Sequence, residues 1–444
     1  MNFFDWMKPG LNIKRWIFIA IVGLVLMIAS IGRIIYYGME NEFYAIVYIA
    51  VSAVGALLIV VSIRCGIRSM LAIVSGGMSN GKSKQSALRN LFYEQKFLVR
   101  GPRIVAIGGG TGLSTMLRGL KEYTSNITAI VTVADDGGGS GVLRETMGIL
   151  PPGDIRNCLV GLAHTEPVME DLMQYRFKEG QLKGQSFGNL FIAAMNDISS
   201  SFEEAIKKMS DVLAVKGKVY PVTLSNVTLC AELENNMVVK GESTVGKASI
   251  KEGSPIKRVY LEPENPNPFE DALYAIDNAD CIIIGPGSLY TSILPNLVIK
   301  DVTDRVRASK AIKIYISNIM TQPGETDGYM LSDHINAIER HCGEGMIDFI
   351  IANNGNIEKE YYEKYKQDGQ DIVGVDRKNI SKEISIIQDD LVDIRNGLLR
   401  HDHKRLAHVI MKLTLKYGMP GNFSRIMDKY YLGERIKEIK KEGK

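Results

Sequence analysis

The residues best placed to do chemistry are glycines that close a short apolar run. Gly108, Gly109, Gly110, Thr111 and Gly112 come directly after Ile104-Val105-Ala106-Ile107. A β-branched run ending in glycines predicts a buried parallel strand feeding a tight turn. Glycines let the backbone approach a ligand closely. The helix expected over 115–123 would offer its positive N-terminus to an anion. The spacing is Gly-x-Gly-x-Gly with Leu113 next, so the third glycine of the dinucleotide fingerprint is missing. The chemistry implied is the binding of a nucleotide or another phosphorylated compound. The alternative is a plain strand-to-helix turn. A second turn, Gly285-Pro286-Gly287-Ser288, follows the apolar run 281–284 and leads into Tyr290 and Thr291. Two such turns on one sheet could hold the several anionic oxygens of a pyrophosphate or a nucleotide sugar.

Carboxylates stand beside these turns. Asp135 and Asp136 precede a glycine run that includes Gly138 and Ser140. Two adjacent carboxylates repel an anionic ligand unless a Mg²⁺ ion, or hydrogen bonds to ribose or base, compensate. The competing reading is an Asp turn before a helix, with Asp136 satisfying backbone N–H groups. Asp154, Arg156, Asn157 and Asn189 lie at two loop-to-helix entries. Arg156 pairs with Asp154 or reaches a phosphate. His401-Asp402-His403 invites a metal reading, but Asp402 is better placed to cap a helix over 404–415.

These residues need a scaffold. Short apolar strands are expected over 103–107, 127–134, 281–284, 312–317 and 349–352, alternating with helical stretches. This is the pattern of an α/β fold, a Rossmann-like, mostly parallel sheet with flanking helices. In such sheets ligands bind outside the C-terminal strand ends. The five cysteines are scattered without paired spacing, which suits a reduced compartment. A net charge of +3 and the lack of a basic stretch interleaved with aromatics argue against nucleic acid as a partner.

The N-terminal end is different. Residues 16–35 are apolar apart from Ser30 and Arg33, and 43–63 carry no charge. Each is long enough to span a lipid bilayer. A signal peptide is a poor alternative, because no small-residue cleavage site follows and a second span comes at once. Lys8, Lys14 and Arg15 precede the first span, and Arg64 and Arg68 follow the second. The loop 38–42 holds only Glu40 and Glu42 as charges. Both ends are therefore expected in the cytoplasm. The expected organisation is a transmembrane hairpin over 1–68, a flexible or helical linker over 69–101, and a cytoplasmic domain over 102–444. Within the linker, Gly76, Gly81, Lys82 and Ser83 satisfy the P-loop pattern. They lack the buried strand and helix that a P-loop needs and read as a Gly/Ser-rich linker.

Taken together, the motifs resemble the bacterial gluconeogenesis factor family, relatives of 2-phospho-L-lactate transferase. The resemblance rests on 107–114, 133–144 with Arg144, 150–162, Gly188-Asn189-Leu190, 285–295, and 317–329 with Asn318. It runs from about Arg103 to about Gly433. The resemblance implies a Rossmann-like core, binding of UDP-N-acetylglucosamine, and a role in cell shape and envelope growth on gluconeogenic carbon sources. Partners among envelope-synthesis proteins go with that role. It also implies that Asp135 and Asp136 match the acidic pair of the wider transferase family, and that Tyr365 and Arg400 help hold the nucleotide sugar. Three positions depart from the family pattern: Gln185 for histidine, Gly139 for serine and His403 for proline. Beyond Asp135 and Asp136 no general base or nucleophile stands out. The leading expectation is a membrane-tethered nucleotide-sugar-binding regulator, and a phosphotransferase is the alternative. A membrane ATPase built on residues 76–83 is a weaker third.

Overall fold

The computed structural model describes residues 14–37, 42–74, 98–164, 167–395 and 397–419. Compact units divide between Lys96 and Phe97. The motif Gly76 to Ser83 and the charged terminal stretch 435–444 lie outside the described residues.

The N-terminal unit holds two helices, Lys14–Tyr37 and Glu42–Val74. Both contain stretches long and apolar enough to cross a membrane, Trp16–Tyr36 and Phe43–Cys65. The second helix runs on through Arg64 and Arg68 into the segment expected as linker, since neither residue breaks a helix. Glycines set the contact between the two. A Cβ on Gly23 would lie 2.7 Å from the Gly55 carbonyl oxygen, and one on Gly55 equally close to that of Gly23. Such small-residue crossings let helix backbones touch where lipid gives no hydrophobic drive for association. Ser62 donates to the Trp16 carbonyl across the same pair.

The second unit is an α/β domain. Its strands are β1 Ile104–Gly108, β2 Ile127–Val131, β3 Lys218–Pro221, β4 Thr228–Leu233, β5 Val238–Lys240, β6 Ile256–Glu262, β7 Cys281–Ile284, β8 Ile312–Ile316, β9 Phe349–Asn353, β10 Ser385–Asp389, β11 Val392–Arg395 and β12 Leu398–His401. Seven form one sheet in the order β10-β9-β8-β7-β1-β2-β3. Every pairing in it is parallel. The five strands expected from the sequence are the five inner strands of this sheet. β2 stops at Val131, short of the expected 134, because its partners β1 and β3 end opposite that residue at Gly108 and Pro221. β3 and β10 add an edge on each side. β5, β4 and β6 form a separate antiparallel sheet, and β11 and β12 a hairpin.

The strand order carries the functional consequence. From β1 the chain moves outward through β2 to β3, then returns to β7 on the other side of β1 and moves out to β10. The order reverses between β1 and β7. Connections leave these neighbours in opposite directions, and a crevice opens at their C-terminal ends. β1 and β7 are buried along their whole length. The apolar runs thus fix the sheet interior, and the glycines that end them stand at its one open point.

Candidate functional site

Both glycine turns meet at this switch point. The Gly285 N–H donates to the Ile107 carbonyl at 2.9 Å. A Cβ on Gly112 would lie 3.1 Å from the Pro286 oxygen, and one on Gly287 would lie 3.2 Å from the Gly109 oxygen. Asn296, fully buried, donates from Nδ2 to the Gly108 carbonyl at 3.2 Å and the Ser292 carbonyl at 2.8 Å. Asn318, just past β8, donates to the Gly287 carbonyl at 2.9 Å. Side-chain amides and close backbone contact thus hold the two turns together. The helix Gly110–Leu120 begins in the first turn, earlier than the expected 115. Thr111 is exposed there, and Gly110 has a φ of +70°, the left-handed region that favours glycine.

The chain's own carboxylates hold three helix starts around the crevice. Asp154 accepts the Gly110 N–H at the first turn. Glu325 accepts the Tyr290 N–H at 3.3 Å and the Thr291 hydroxyl at 3.0 Å at the second. Asp136 accepts the Ser243 N–H at 2.9 Å at the helix Glu242–Glu252. Each seat suits an anion because of the helix dipole and free N–H groups. The helix Gly138–Met147 carries no acid in its first turn, and its N-cap is Gly137. It opens on Gly138, Gly139 and Ser140. Arg144, near its end, donates to the Val227 carbonyl at 2.5 Å.

Asp135 accepts the Gly137 N–H at 2.8 Å, so the local turn before the helix is made by Asp135 and not, as expected, by Asp136, whose carboxylate is turned to Ser243. One oxygen on each of Asp135 and Asp136 is thus engaged by backbone. No group of three or more His, Cys, Asp or Glu disposed to hold a metal occurs among the described residues.

Arg156 is 4% exposed. Its guanidinium donates to Ser186, to Asn189 at 2.8 Å and to Asn157 at 3.0 Å. These partners are neutral. Burial pulls its pKa down to about 10. Asn189 also reaches the Ser140 hydroxyl at 3.4 Å. Ser288 donates to Gln322 at 2.6 Å, and the Tyr290 and Tyr329 hydroxyls share a hydrogen bond at 2.8 Å. Tyr365 is buried, and its hydroxyl accepts the Leu399 N–H at 2.9 Å. Arg400, on β12 opposite Asp393, donates to the Leu399 carbonyl at 3.1 Å. Asp402 caps the helix His403–Leu413 through Lys404 and Arg405, as expected. His401 Nε2 meets the Ser317 carbonyl oxygen at 3.2 Å, and His403 meets Arg395 at 2.7 Å.

Glu242 and Glu325 were not singled out from the sequence. Glu242 begins its helix one turn before Gly246, and a Cβ on Gly246 would touch the Glu325 side chain at 4.0 Å. Burial first, then the fields of Asp135, Glu325, Asp136 and Asp154, push the Glu242 carboxyl up to about 8. Burial alone raises Glu325 to about 7 against its hydrogen bonds. A folded-state carboxyl raised this far holds a proton that the unfolded chain has released. Its contribution to stability is full below about pH 4.5 and is lost as pH rises through about 8. His334 and His401, both lowered by burial to about 4, act oppositely, between pH 6.5 and 4. The interval from pH 6.5 to 8.5 therefore isolates the carboxyls. Glu242→Gln should raise the Tm of the α/β domain by roughly 2–5 °C at pH 8.5 and by clearly less at pH 6.5. Equal shifts at both pH values in thermal melts would refute the assignment.

The comparisons with known proteins agree with this architecture. The family model described as 2-phospho-L-lactate transferase CofD matches residues 104–392. A gluconeogenesis factor of Bacillus subtilis is 47% identical over 314 residues, 70% of this chain and 98% of its own. A relative from Clostridium acetobutylicum with the same family name is 48% identical over 443 residues, 99% of this chain and 98% of its own. A crystal structure of a UPF0052 family member from Bacillus halodurans is 46% identical, with a TM-score of 0.66, covering 69% of this chain and 98% of that one. The Clostridium relative matches almost the full chain, including the apolar N-terminal part.

Proposed function

The chain belongs to the gluconeogenesis factor family, with a CofD-type domain, and from that premise we propose that it is a membrane-tethered regulator that binds a nucleotide sugar of the UDP-N-acetylglucosamine type. One observation carries the reading: the two glycine turns lie side by side at the strand-order reversal of a parallel sheet, held there by Asn296 and Asn318. A diphosphate needs several N–H donors within a few ångströms, and two apposed turns supply them. The hydroxyl-rich sugar and ribose suit an acid-lined wall, because carboxylates accept hydrogen bonds from neutral hydroxyls. Any Mg²⁺ in this reading arrives on the diphosphate. The role in cell shape and envelope growth, and partners in envelope synthesis, belong to the same proposal.

The test is calorimetry on the full-length protein in lipid nanodiscs, against UDP-N-acetylglucosamine, UDP, ATP and GDP. Saturable binding of the UDP-sugar, stronger than that of ATP, is expected. Steady release of UDP during the titration would replace the regulator by a phosphotransferase. Preference for ATP that disappears in Lys82→Ala would point to the linker motif.

The two apolar helices and the charges around them support placement at the membrane. A cysteine introduced at Asn41 should react with an impermeant maleimide in intact cells, and a reporter fused after Lys444 should be cytoplasmic. Protection of that cysteine until the cells are lysed would reject the two-span orientation.

A further inference from the structure

We infer that Asp154 is an internal anion seated in the phosphate position of the first glycine turn, and that an anionic ligand enters by displacing it; the inference rests on the diphosphate reading above. The geometry is direct. The carboxylate lies so close to the turn that a Cβ on Gly109 would strike its Oδ2. It accepts the Gly110 N–H, the first donor of the helix Gly110–Leu120. An incoming phosphate and Asp154 therefore compete for the same backbone donor and the same positive helix end.

Asp154 is the replaceable member of the three internal carboxylates. Glu325 is only 6% exposed and is held by the Tyr290 N–H, the Thr291 hydroxyl and Gln322 Nε2 at 2.7 Å. Asp136 is locked between the Ser243 N–H and the backbone of Gly241, where a Cβ would meet its Oδ2. Among the described residues, the Gly110 N–H is the one hydrogen-bond donor that holds the Asp154 carboxyl down. Arg156, two residues on, does not hold it by a hydrogen bond, because its guanidinium is directed to Ser186, Asn189 and Asn157. Burial and the neighbouring Asp135 raise the Asp154 carboxyl to about 6, so the charged form is costly where it sits. A diphosphate, with more charge and more acceptor oxygens, can take the seat. A neutral sugar cannot.

Asp154→Asn separates the two readings. It keeps the shape and an acceptor for Gly110 but removes the charge. Wild-type protein and variant, full length in nanodiscs, are titrated with UDP-N-acetylglucosamine and, separately, with inorganic pyrophosphate. Loss of the like charge should tighten both by roughly tenfold or more. Asp211→Asn, on the exposed face of the helix Phe202–Val212, changes net charge equally and should change neither. Tighter pyrophosphate binding in the variant, with no UDP-sugar binding by either protein, would uphold the inference and reject the nucleotide-sugar reading. Unchanged or weaker binding of both probes, in a variant with wild-type Tm, would overturn the inference. So would absence of binding by both proteins, since removing the internal anion would then have opened no seat.

Discussion

Gly110→Val should reduce nucleotide-sugar binding by at least a hundredfold while leaving the protein folded. Gly110 sits at φ +70°, where a residue with a Cβ costs about 1–2 kcal/mol. The space beside it is not the main obstacle. A Cβ there would meet only the Ser292 hydroxyl, at 3.8 Å, an ordinary contact. The two further methyls of valine would project into the gap between the glycine turns, where the diphosphate is expected. Gly110→Ala therefore serves as the graded control: it carries the backbone strain with little of the blockade and should lose less. Gly112→Val should behave differently, because its Cβ faces the Pro286 carbonyl at 3.1 Å and pushes the turns apart. That variant should lower Tm as well as binding. Calorimetry paired with thermal melts distinguishes the cases. Parental affinity in Gly110→Val would place the ligand away from the turn.

The contrast between what the sequence discloses and what it hides follows from burial and from distance along the chain. β1 and β7 are covered on both faces and read as unbroken apolar runs, and β8 is equally buried with Lys313 as its one charged residue. β3, at the sheet edge, begins on exposed Lys218 and ends on Pro221, and gives no such run. β4 and β6 do alternate, with Leu229, Ala231, Leu233 and Val259, Leu261 turned inward. That period of two was the available signal for the antiparallel sheet. The N-terminal helices were legible from length and lack of charge, whereas their Gly23–Gly55 crossing depends on rotation about the helix axes. The glycine turns were legible because their strands announce them. Their internal anions were not. Asp154 reaches the first turn from the start of the helix Gly153–Leu162 and Glu325 the second from the turn that follows β8, and nothing in local spacing couples Asp154 to Gly110 or Glu325 to Thr291. The tertiary fold brings them together.

Arg400→Ala should weaken UDP-N-acetylglucosamine binding by about ten- to a hundredfold. A hydrogen bond to a charged group contributes roughly 1.5–3 kcal/mol, at about 1.4 kcal/mol per tenfold. The connection to the crevice is traceable. Arg400 lies on β12, and the adjacent His401 meets the Ser317 carbonyl at the C-terminal end of β8. Ser317 precedes Asn318, which holds the Gly287 carbonyl of the second turn. The guanidinium is half-buried, with the neighbouring Leu399 carbonyl at 3.1 Å, and that weak local bond is easily exchanged for an anionic oxygen. Tyr365 plays a different part. Its hydroxyl receives the Leu399 N–H, and its ring packs with Ile319, Met320 and Leu399. Tyr365→Phe keeps that packing and frees one N–H, so it should cost only a few-fold, with a small fall in Tm. Arg400→Lys keeps the charge but loses the planar fork, and should fall between parent and alanine. Parental binding by Arg400→Ala would exclude the hairpin from the site. A larger loss in Tyr365→Phe than in Arg400→Ala would mean that the hairpin positions the second turn and does not touch the ligand.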